Sequence, residues 1–504
     1  MKTIETKLRE YLDAGLPIIY IDTYEDEKND RIISEAFGRY KKFKIEEWNG
    51  ASGHCDFINK NSYISGNVRG LEDTLRAMFT QRTVKNKALV LKDISEELKN
   101  PGVVSLLKQI AVKITSGSSG FENAIIIIVS PVVTIPAELE KYITVINQEY
   151  IEFDEIRKLI EEFISDYELK TVSKELIEQV AVALKGLTEF EIRNILSLAY
   201  STNGDLTKKD LQFVYEQKQQ MVMKSGILEM IPVKETPEDI GGLENLKAWL
   251  RKKGKVFNNI NKAKEFGVDN PKGVLIAGVP GCGKSLTAKA TASIFEVPLL
   301  RLDMGRLMGK YVGESESNMR KAIALADAIS PCVLWIDELE KAFAGIGSSG
   351  GNEVTTRLFG TFLTWMQEKT TPTFVLATAN NITNLPPELL RKGRFDEIFY
   401  VGLPNSEERR KIFEVHIRKR RPGDLKNIDI SGLVNKTDGY SGADIEGVVR
   451  EGIENAFCND RAALTTEDIM NAVSGTVSLS EIMKDDLKKM SEEYQKRRLK
   501  SASR

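Results

Sequence analysis

The residues of this chain that could do chemistry begin with a short run, GVPGCGKS, from Gly278 to Ser285. It fits the spacing G-x-x-x-x-G-K-[ST] and lies between an apolar run and a helical pattern, the setting in which such a loop cradles phosphates. Gly278, Gly281 and Gly283 allow the backbone to turn N–H groups toward an anion. Val279, Pro280 and Cys282 complete the loop, and Leu286 falls where a helix N-terminus adds its dipole. Lys284 would reach the β- and γ-phosphates of ATP, and Ser285 would ligate Mg²⁺. Further along, CVLWIDE places Asp337 and Glu338 at the end of an apolar run. Asp337 is read as holding the shell of the same Mg²⁺, and Glu338 as polarising the attacking water. TFVLATAN brings Asn380 to the end of the next apolar run, beside the place of a γ-phosphate. This set suits hydrolysis of a phosphoanhydride bond, with Cys282 read as a tolerated loop side chain.

Such groups need elements to carry them. GVLIAGV, PCVLWIDE and TFVLATAN are buried-strand runs, and KSLTAKATASIF and TTRLFGTFLTWMQE carry helical periodicity. Apolar strands alternating with helices imply a parallel sheet covered on both faces, so the fold class is α/β with a P-loop-type sheet. From about 405 onward only helical patterns remain, including SEERRKIFEVHIRKR and SGADIEGVVREGIENAF, which reads as a small helical lid. LEMIPVKETPEDIGGL, with Pro232, Pro237, Gly241 and Gly242, reads as an irregular connector ahead of the module.

The first half repeats this order faintly. GLPIIYIDT, KALVLKDIS and NAIIIIVSP read as strands, followed by helical patterns in FDEIRKLIEEFISDY, SKELIEQVAVALKG and TEFEIRNILSLAY. The interval from the third strand to the last helix is nearly the same in both halves, which suggests a duplicated unit. After PIIYIDT, however, comes YEDEKND, acidic where a phosphate cradle needs glycines and a lysine, so a copy here has lost nucleotide chemistry. The expected domains are 1–150, an α/β domain lacking a P-loop; 151–224, a helical lid-like region; 225–405, the nucleotide-binding domain; 406–480, its lid; and 481–504, a C-terminal helix and basic tail.

The length of 504 residues leaves room for about two to four domains. Hydrophobic content of 41%, charged content of 29% and a net charge of −2 describe an ordinary globular chain without whole-molecule attraction to nucleic acid or an anionic membrane. The basic stretches RKKGK (251–255) and KRRLK (496–500) lack interleaved aromatic residues and read as solvated helix faces. The longest apolar run, AIIIIV (124–129), falls far short of the roughly 18 residues that span a bilayer. MKTIETKLREYLDAG has no apolar leader core, and Cys55, Cys282, Cys332 and Cys458 are scattered without a CxxC pair. A reducing, cytoplasmic setting is therefore expected (or a plastid stroma, were the chain plastid-encoded), without structural zinc or disulfides.

LPPELLRKGRFDEIF, which holds Arg391 and Arg394, joins DIGGL, KYVGESE and YSGADI in an order that closely resembles the AAA branch of the AAA+ ATPases over about 235–460. The resemblance implies hexameric rings or spirals with nucleotide between neighbours, Arg391 and Arg394 donated in trans as arginine fingers, and Asn380 as the first sensor. It puts the second sensor region at Ser441-Gly442-Ala443, with Ala443 in place of an arginine. It has Asp239 and Gly241 meeting the adenine edge through backbone, and His416 approaching the base or ribose.

Lys310-Tyr311-Val312-Gly313 falls at the position of the family's first pore loop. By itself such a tyrosine is most often a half-buried core or boundary residue. In a ring, these side chains would line an axial channel and grip an extended polypeptide, so the resemblance implies a remodelling or unfolding motor with a polypeptide client. The alternatives are a nucleotide-switched scaffold and a nucleic-acid-associated ATPase. Two departures stand out: Pro386 replaces the family's usual Asp, and the segment after Glu338 is GIGSSGGNE instead of a charged loop. Within the branch, DIGGLENLKAWLRKK, LTWMQEKT and ATANNITNLPPELLRKGRFDEIF look most like AAA proteins of cyanobacteria and algal chloroplasts, which also carry an N-terminal half without a P-loop.

Overall fold

The computed structural model describes residues 3–61, 63, 70–116, 120–131, 133–147, 150–169, 172–224, 226–307, 314–342, 353–391 and 393–504. They form two units, Met1–Tyr150 with Thr188–Asn194, and Ile151–Leu187 with Ile195–Arg504.

In the first unit, β1 (Ile18–Asp22), β2 (Lys44–Asn49), β4 (Val84–Lys92), β5 (Phe121–Ser130) and β6 (Ile143–Asn147) are parallel in the order β2-β4-β5-β1-β6. β3 (Gly53–Asp56) pairs antiparallel with β2. The inner stretches of β1, β4 and β5 are apolar because both faces are covered. Ile18, Tyr20, Leu89, Leu91, Ile126 and Ile128 enter one core, whereas Ile19, Ile21, Ala88, Val90, Ile125 and Ile127 enter another. The acidic stretch after β1 turns inward. Glu25 is buried, and its Oε1 accepts the N–H groups of Glu189 (2.6 Å) and Phe190 (3.4 Å). Lys92, which ends β4, pairs with Asp30 at 2.9 Å and lies 3.7 Å from Glu47. The carboxyl ends of β1 and β4 are thus filled by the unit's own charges.

In the second unit, β8 (Gly273–Gly278), β9 (Leu299–Leu302), β10 (Cys332–Ile336), β11 (Thr373–Ala379) and β12 (Glu397–Val401) are parallel in the order β12-β8-β11-β10-β9. Read from the other edge, the second, third, fourth, first and fifth strands follow one another, the same succession as β2-β4-β5-β1-β6. A further strand at each edge corrects the sequence reading. β7 (Leu228–Ile231) pairs antiparallel with β9 inside the stretch read as an irregular connector. Four residues are too few to show a period, so the neighbouring strand and the buried Leu228 decide the conformation.

β13 (Lys500–Ser501) pairs with β12 in the tail read as basic and non-strand. Arg498, at φ 52°, ends the helix Lys484–Arg497 and turns the chain back along the sheet. Ala502 is fully buried there, its N–H donating to Tyr400 O at 2.8 Å, and Lys500 pairs with Glu397.

The lid consists of helices Ser406–Arg420, Ile430–Lys436, Gly442–Cys458 and Thr466–Gly475 around Phe413, Ile417, Leu433, Ile445, Val449 and Ile469. Asn405, Ser441 and Thr465 cap three of these helices and are capped in return by Glu408, Asp444 and Asp468. Each such cap contributes about 1 kcal/mol and fixes where its helix begins.

Candidate active site

The loop Gly278–Ser285 leaves the carboxyl end of β8, which lies between β11 and β12, and runs into the helix Lys284–Phe295. Crevices at the carboxyl ends of such strands are where α/β sheets hold ligands. A Cβ on Gly278 would sit 2.0 Å from Val401 O, so the β12 backbone leaves room for glycine alone. Lys284 is buried, and its Nζ donates to the carbonyls of Gly278 and Val279, both at 2.8 Å. Burial brings its pKa down to about 8, against the pull of Cys282 and the carboxylates of Glu340, Asp337 and Glu338. Burial likewise pushes the Cys282 thiol up to about 11, which keeps it protonated at neutral pH.

Asp337 and Glu338 follow directly on β10. Asp337 Oδ1 accepts the Thr378 hydroxyl and lies 3.5 Å from Ser285 Oγ. Glu338 adopts φ 49°, and its N–H donates to Thr378 Oγ1 at 3.1 Å. Its carboxylate accepts from Asn380 Nδ2 at 3.3 Å and pairs with the Lys341 ammonium at 2.7 Å. The Asn380 N–H is taken by Glu340 Oε1 at 2.9 Å. Ser285, Asp337, Glu338 and Asn380 therefore converge from the ends of three neighbouring strands. The motif reading missed Thr378, Glu340 and Lys341. Thr378 left a trace as a polar residue inside an apolar strand; the other two sit in a short helix with no pattern of its own.

On the lid side, Gly241 and Gly242 lie under the helix Ser406–Arg420. A Cβ on Gly241 would fall 2.5 Å from Ile412, and one on Gly242 would fall 2.5 Å from Glu408. Glu408, also missed, accepts the N–H of Leu243 at 3.0 Å while capping its own helix through Asn405. Its position three residues after Asn405 is the signal that could have found it. The Asp239 carboxylate accepts the Thr236 N–H at 2.7 Å, which shapes the turn that precedes the glycines.

Gly442 and Ala443 reach the phosphate loop itself. The Ala443 N–H donates to Gly281 O at 2.9 Å, and a Cβ on Gly281 would lie 3.0 Å from that of Ala443. His416 lies one turn beyond Ile412, 3.3 Å from Arg420 and 3.8 Å from Glu446, and burial lowers its pKa so that the ring is neutral at pH 7. Among the described residues no hydrogen bond joins His416 to the loop. Arg391 is exposed at the end of the turn Pro387–Leu390, and Arg394 is half-buried with its Nε without a hydrogen-bond partner. Among the described residues neither arginine is hydrogen-bonded to Asp337, Glu338 or the loop. Lys310, Tyr311, Val312 and Gly313 lie outside the described residues, as does the glycine-rich segment 345–351.

The residues that build this site fall in a stretch, 274–403, that matches the family model of the ATPase family associated with various cellular activities (AAA), followed by an AAA+ lid domain at 427–471. Residues 4–148 and 154–225 match the N-terminal and second domains of SpoVK-like AAA ATPases. Over 474 residues the chain is 38% identical to the uncharacterized AAA domain-containing protein ycf46 of Guillardia theta, covering 93% of this chain and 90% of that protein. The chain belongs to the AAA family of ATPases. The ycf46 protein of Pyropia yezoensis is 37% identical over 476 residues, covering 94% of each chain. Similarity to the cell division cycle protein 48 homolog of Archaeoglobus fulgidus, 34% over 258 residues, covers 49% of this chain and 34% of that one. As an AAA ATPase the protein binds ATP and hydrolyses it, through an AAA module preceded by an N-terminal α/β domain. No helix among the described residues is long and apolar enough to cross a membrane.

Proposed function

We propose that this AAA ATPase is a ring-forming motor that remodels or unfolds polypeptides, with Tyr311 gripping the client in an axial pore. The observation that carries the reading is a hydrolytic set that, among the described residues, lacks an arginine of its own. Glu338 is held on Asn380 beside Asp337 and Ser285, while Arg391 and Arg394 bond to none of them among the described residues. Arginines not engaged by the set in this way, Arg391 exposed and Arg394 half-buried, are on offer to the γ-phosphate bound by a neighbour, where charge develops in the transition state. A head-to-tail contact of that kind closes into a ring, which we take to be a hexamer, or extends as a spiral.

In this reading Lys284 and the loop amides bind the phosphates, Glu338 orients the attacking water, and Asn380 holds Glu338 in place. Asp239, Gly241 and His416 border the adenosine, and Gly442 with Ala443 couples loop to lid. The hard oxygen donors of Ser285 and Asp337 suit Mg²⁺, completed by phosphate oxygens, and bound there it would neutralise charge on the phosphates. The proposed domains are those expected above, at 1–150, 151–224, 225–405, 406–480 and 481–504. The first of these serves as a nucleotide-free docking domain, since Glu25 and Lys92 occupy the carboxyl ends of its strands with internal partners.

A nucleic-acid role is disfavoured because several cations of the basic stretches are paired within the chain. Arg251 lies 3.5 Å from Glu238, Lys253 3.5 Å from Asp396, and Arg497 2.6 Å from Glu493. A cytoplasmic or stromal setting completes the proposal. The test is Tyr311→Ala in the full chain. Near-normal melting and basal ATPase with loss of client-stimulated turnover are expected, whereas retained client processing would remove the threading role. Glu338→Gln with ATP should assemble into rings visible by electron microscopy, and a monomer under those conditions would overturn the ring.

A further inference from the structure

We infer that Thr378 is a positioning residue for ATP hydrolysis, its hydroxyl clamping the Asp337–Glu338 peptide. The inference rests on the roles given above to Asp337 and Glu338. β10 and β11 are parallel with Ile336 opposite Ala377, so the two residues that follow β10 come to lie beside Thr378. Thr378 is 1% exposed near the carboxyl end of a fully buried strand, directly after the apolar run Phe374–Ala377, and a buried hydroxyl needs partners. Both of its partners are in the hydrolytic pair. The hydroxyl donates to Asp337 Oδ1 and accepts the Glu338 N–H at 3.1 Å.

Those two bonds do different work. The first pins the Asp337 carboxylate, whose same oxygen lies 3.5 Å from Ser285 Oγ, in the orientation that faces the phosphate loop. The second holds the Glu338 backbone at φ 49°, in the left-handed region that residues with a Cβ rarely adopt. Released from that bond, Glu338 would leave its N–H without this partner or rotate to ordinary dihedrals. Rotation would carry its carboxylate off Asn380. Thr287 and Thr291 serve their own helix, donating to the carbonyls of Gly283 (2.9 Å) and Thr287 (2.7 Å), and Thr373, at the start of the same strand as Thr378, donates to Asp327 (2.9 Å) and not to the hydrolytic pair. Thr378 instead spans two strands.

The test compares Thr378→Val, which keeps the shape and removes the hydroxyl, with Thr378→Ser in the full-length protein. In Thr378→Val, kcat should fall about 10- to 100-fold and the Mg²⁺ concentration for half-maximal turnover should rise by about tenfold, the usual cost of losing a group that orients a metal-site ligand. ATP affinity measured in EDTA should not change, and Thr378→Ser should recover turnover to within about threefold of wild type. Wild-type kcat and Mg²⁺ dependence in Thr378→Val would overturn the inference. So would a Thr378→Ser variant as impaired as Thr378→Val, since packing of the methyl group would then be the function. Should Thr378→Val be recovered unfolded, Thr378→Ala against Thr378→Ser carries the same comparison. Normal turnover in Glu338→Gln would remove the underlying assignment, whereas an inactive Glu338→Gln beside a fully active Thr378→Val would remove this inference alone.

Discussion

Lys218 sits on the helix Asp210–Lys224 with 1% of its surface exposed and, among the described residues, no hydrogen bond or carboxylate to meet its ammonium. Burial brings its pKa down from 10.5 to about 7, with Lys185 adding to the effect and the Cys332 thiol opposing it. Neither neighbour is a counter-ion: Cys332 is buried with its thiol pushed up to about 12, and the Lys185 ammonium is spent on the Ser330 carbonyl. The sign of the pH effect follows from the lowered value. Below about pH 7 the lysine is charged whether the protein is folded or unfolded, and folding bears the whole desolvation cost. Between about 7 and 10.5 the unfolded chain binds more protons, so stability rises with pH; above 10.5 the cost is gone.

At roughly 1.4 kcal/mol per pH unit, the window corresponds to at most about 5 kcal/mol. Lys218→Met keeps the length of the side chain and removes the charge. Allowing for imperfect packing, it should stabilise the second unit by about 2–4 kcal/mol at neutral pH. For a unit of this size that is a rise in Tm of roughly 3–5 °C. Scanning calorimetry of both proteins from about pH 6 to 10 reads the result. The wild-type transition should climb with pH, and that of the variant should be flatter. A lower Tm at pH 7 with an unchanged slope would refute the reasoning and show that the ammonium is satisfied in the fold.

Lys284→Ala should abolish ATP binding, because it removes the charge held inside the loop, and wild type should bind one ATP per chain by calorimetry; a second site surviving in Lys284→Ala would place nucleotide in the N-terminal domain. Glu338→Gln should bind ATP with wild-type affinity and lose at least about a hundredfold in turnover, measured as phosphate release under saturating ATP. Deleting 499–504 removes the bond from Ala502 to Tyr400 and those that Asn245 and Leu246 make to the Ala502 carbonyl. The loss should cost about 2–4 kcal/mol and lower the Tm of the second unit, whereas an unchanged Tm would make β13 an ornament of the edge.

Sequence alone marked the candidate chemistry. A loop that must bring backbone within reach of phosphate requires glycines at Gly278, Gly281 and Gly283 in close order, and a carboxylate pair at the end of an apolar run has few other uses, so Lys284, Ser285, Asp337, Glu338 and Asn380 were legible as residues. The α/β class was legible too, because strands buried on both faces are apolar throughout, as AIIIIV shows. The loss of the phosphate cradle after PIIYIDT could be read from charge. What only the tertiary structure decided is how those groups are held and what closes the sheet. β7 and β13 are too short to carry a period and exist because a neighbouring strand offers them bonds. Thr378, Glu340 and Glu408 take their roles from elements far apart in sequence meeting at one place. Local spacing specifies which atoms can react. Long-range contact fixes their direction, since a hydrogen bond between strands leaves no period in the chain that makes it.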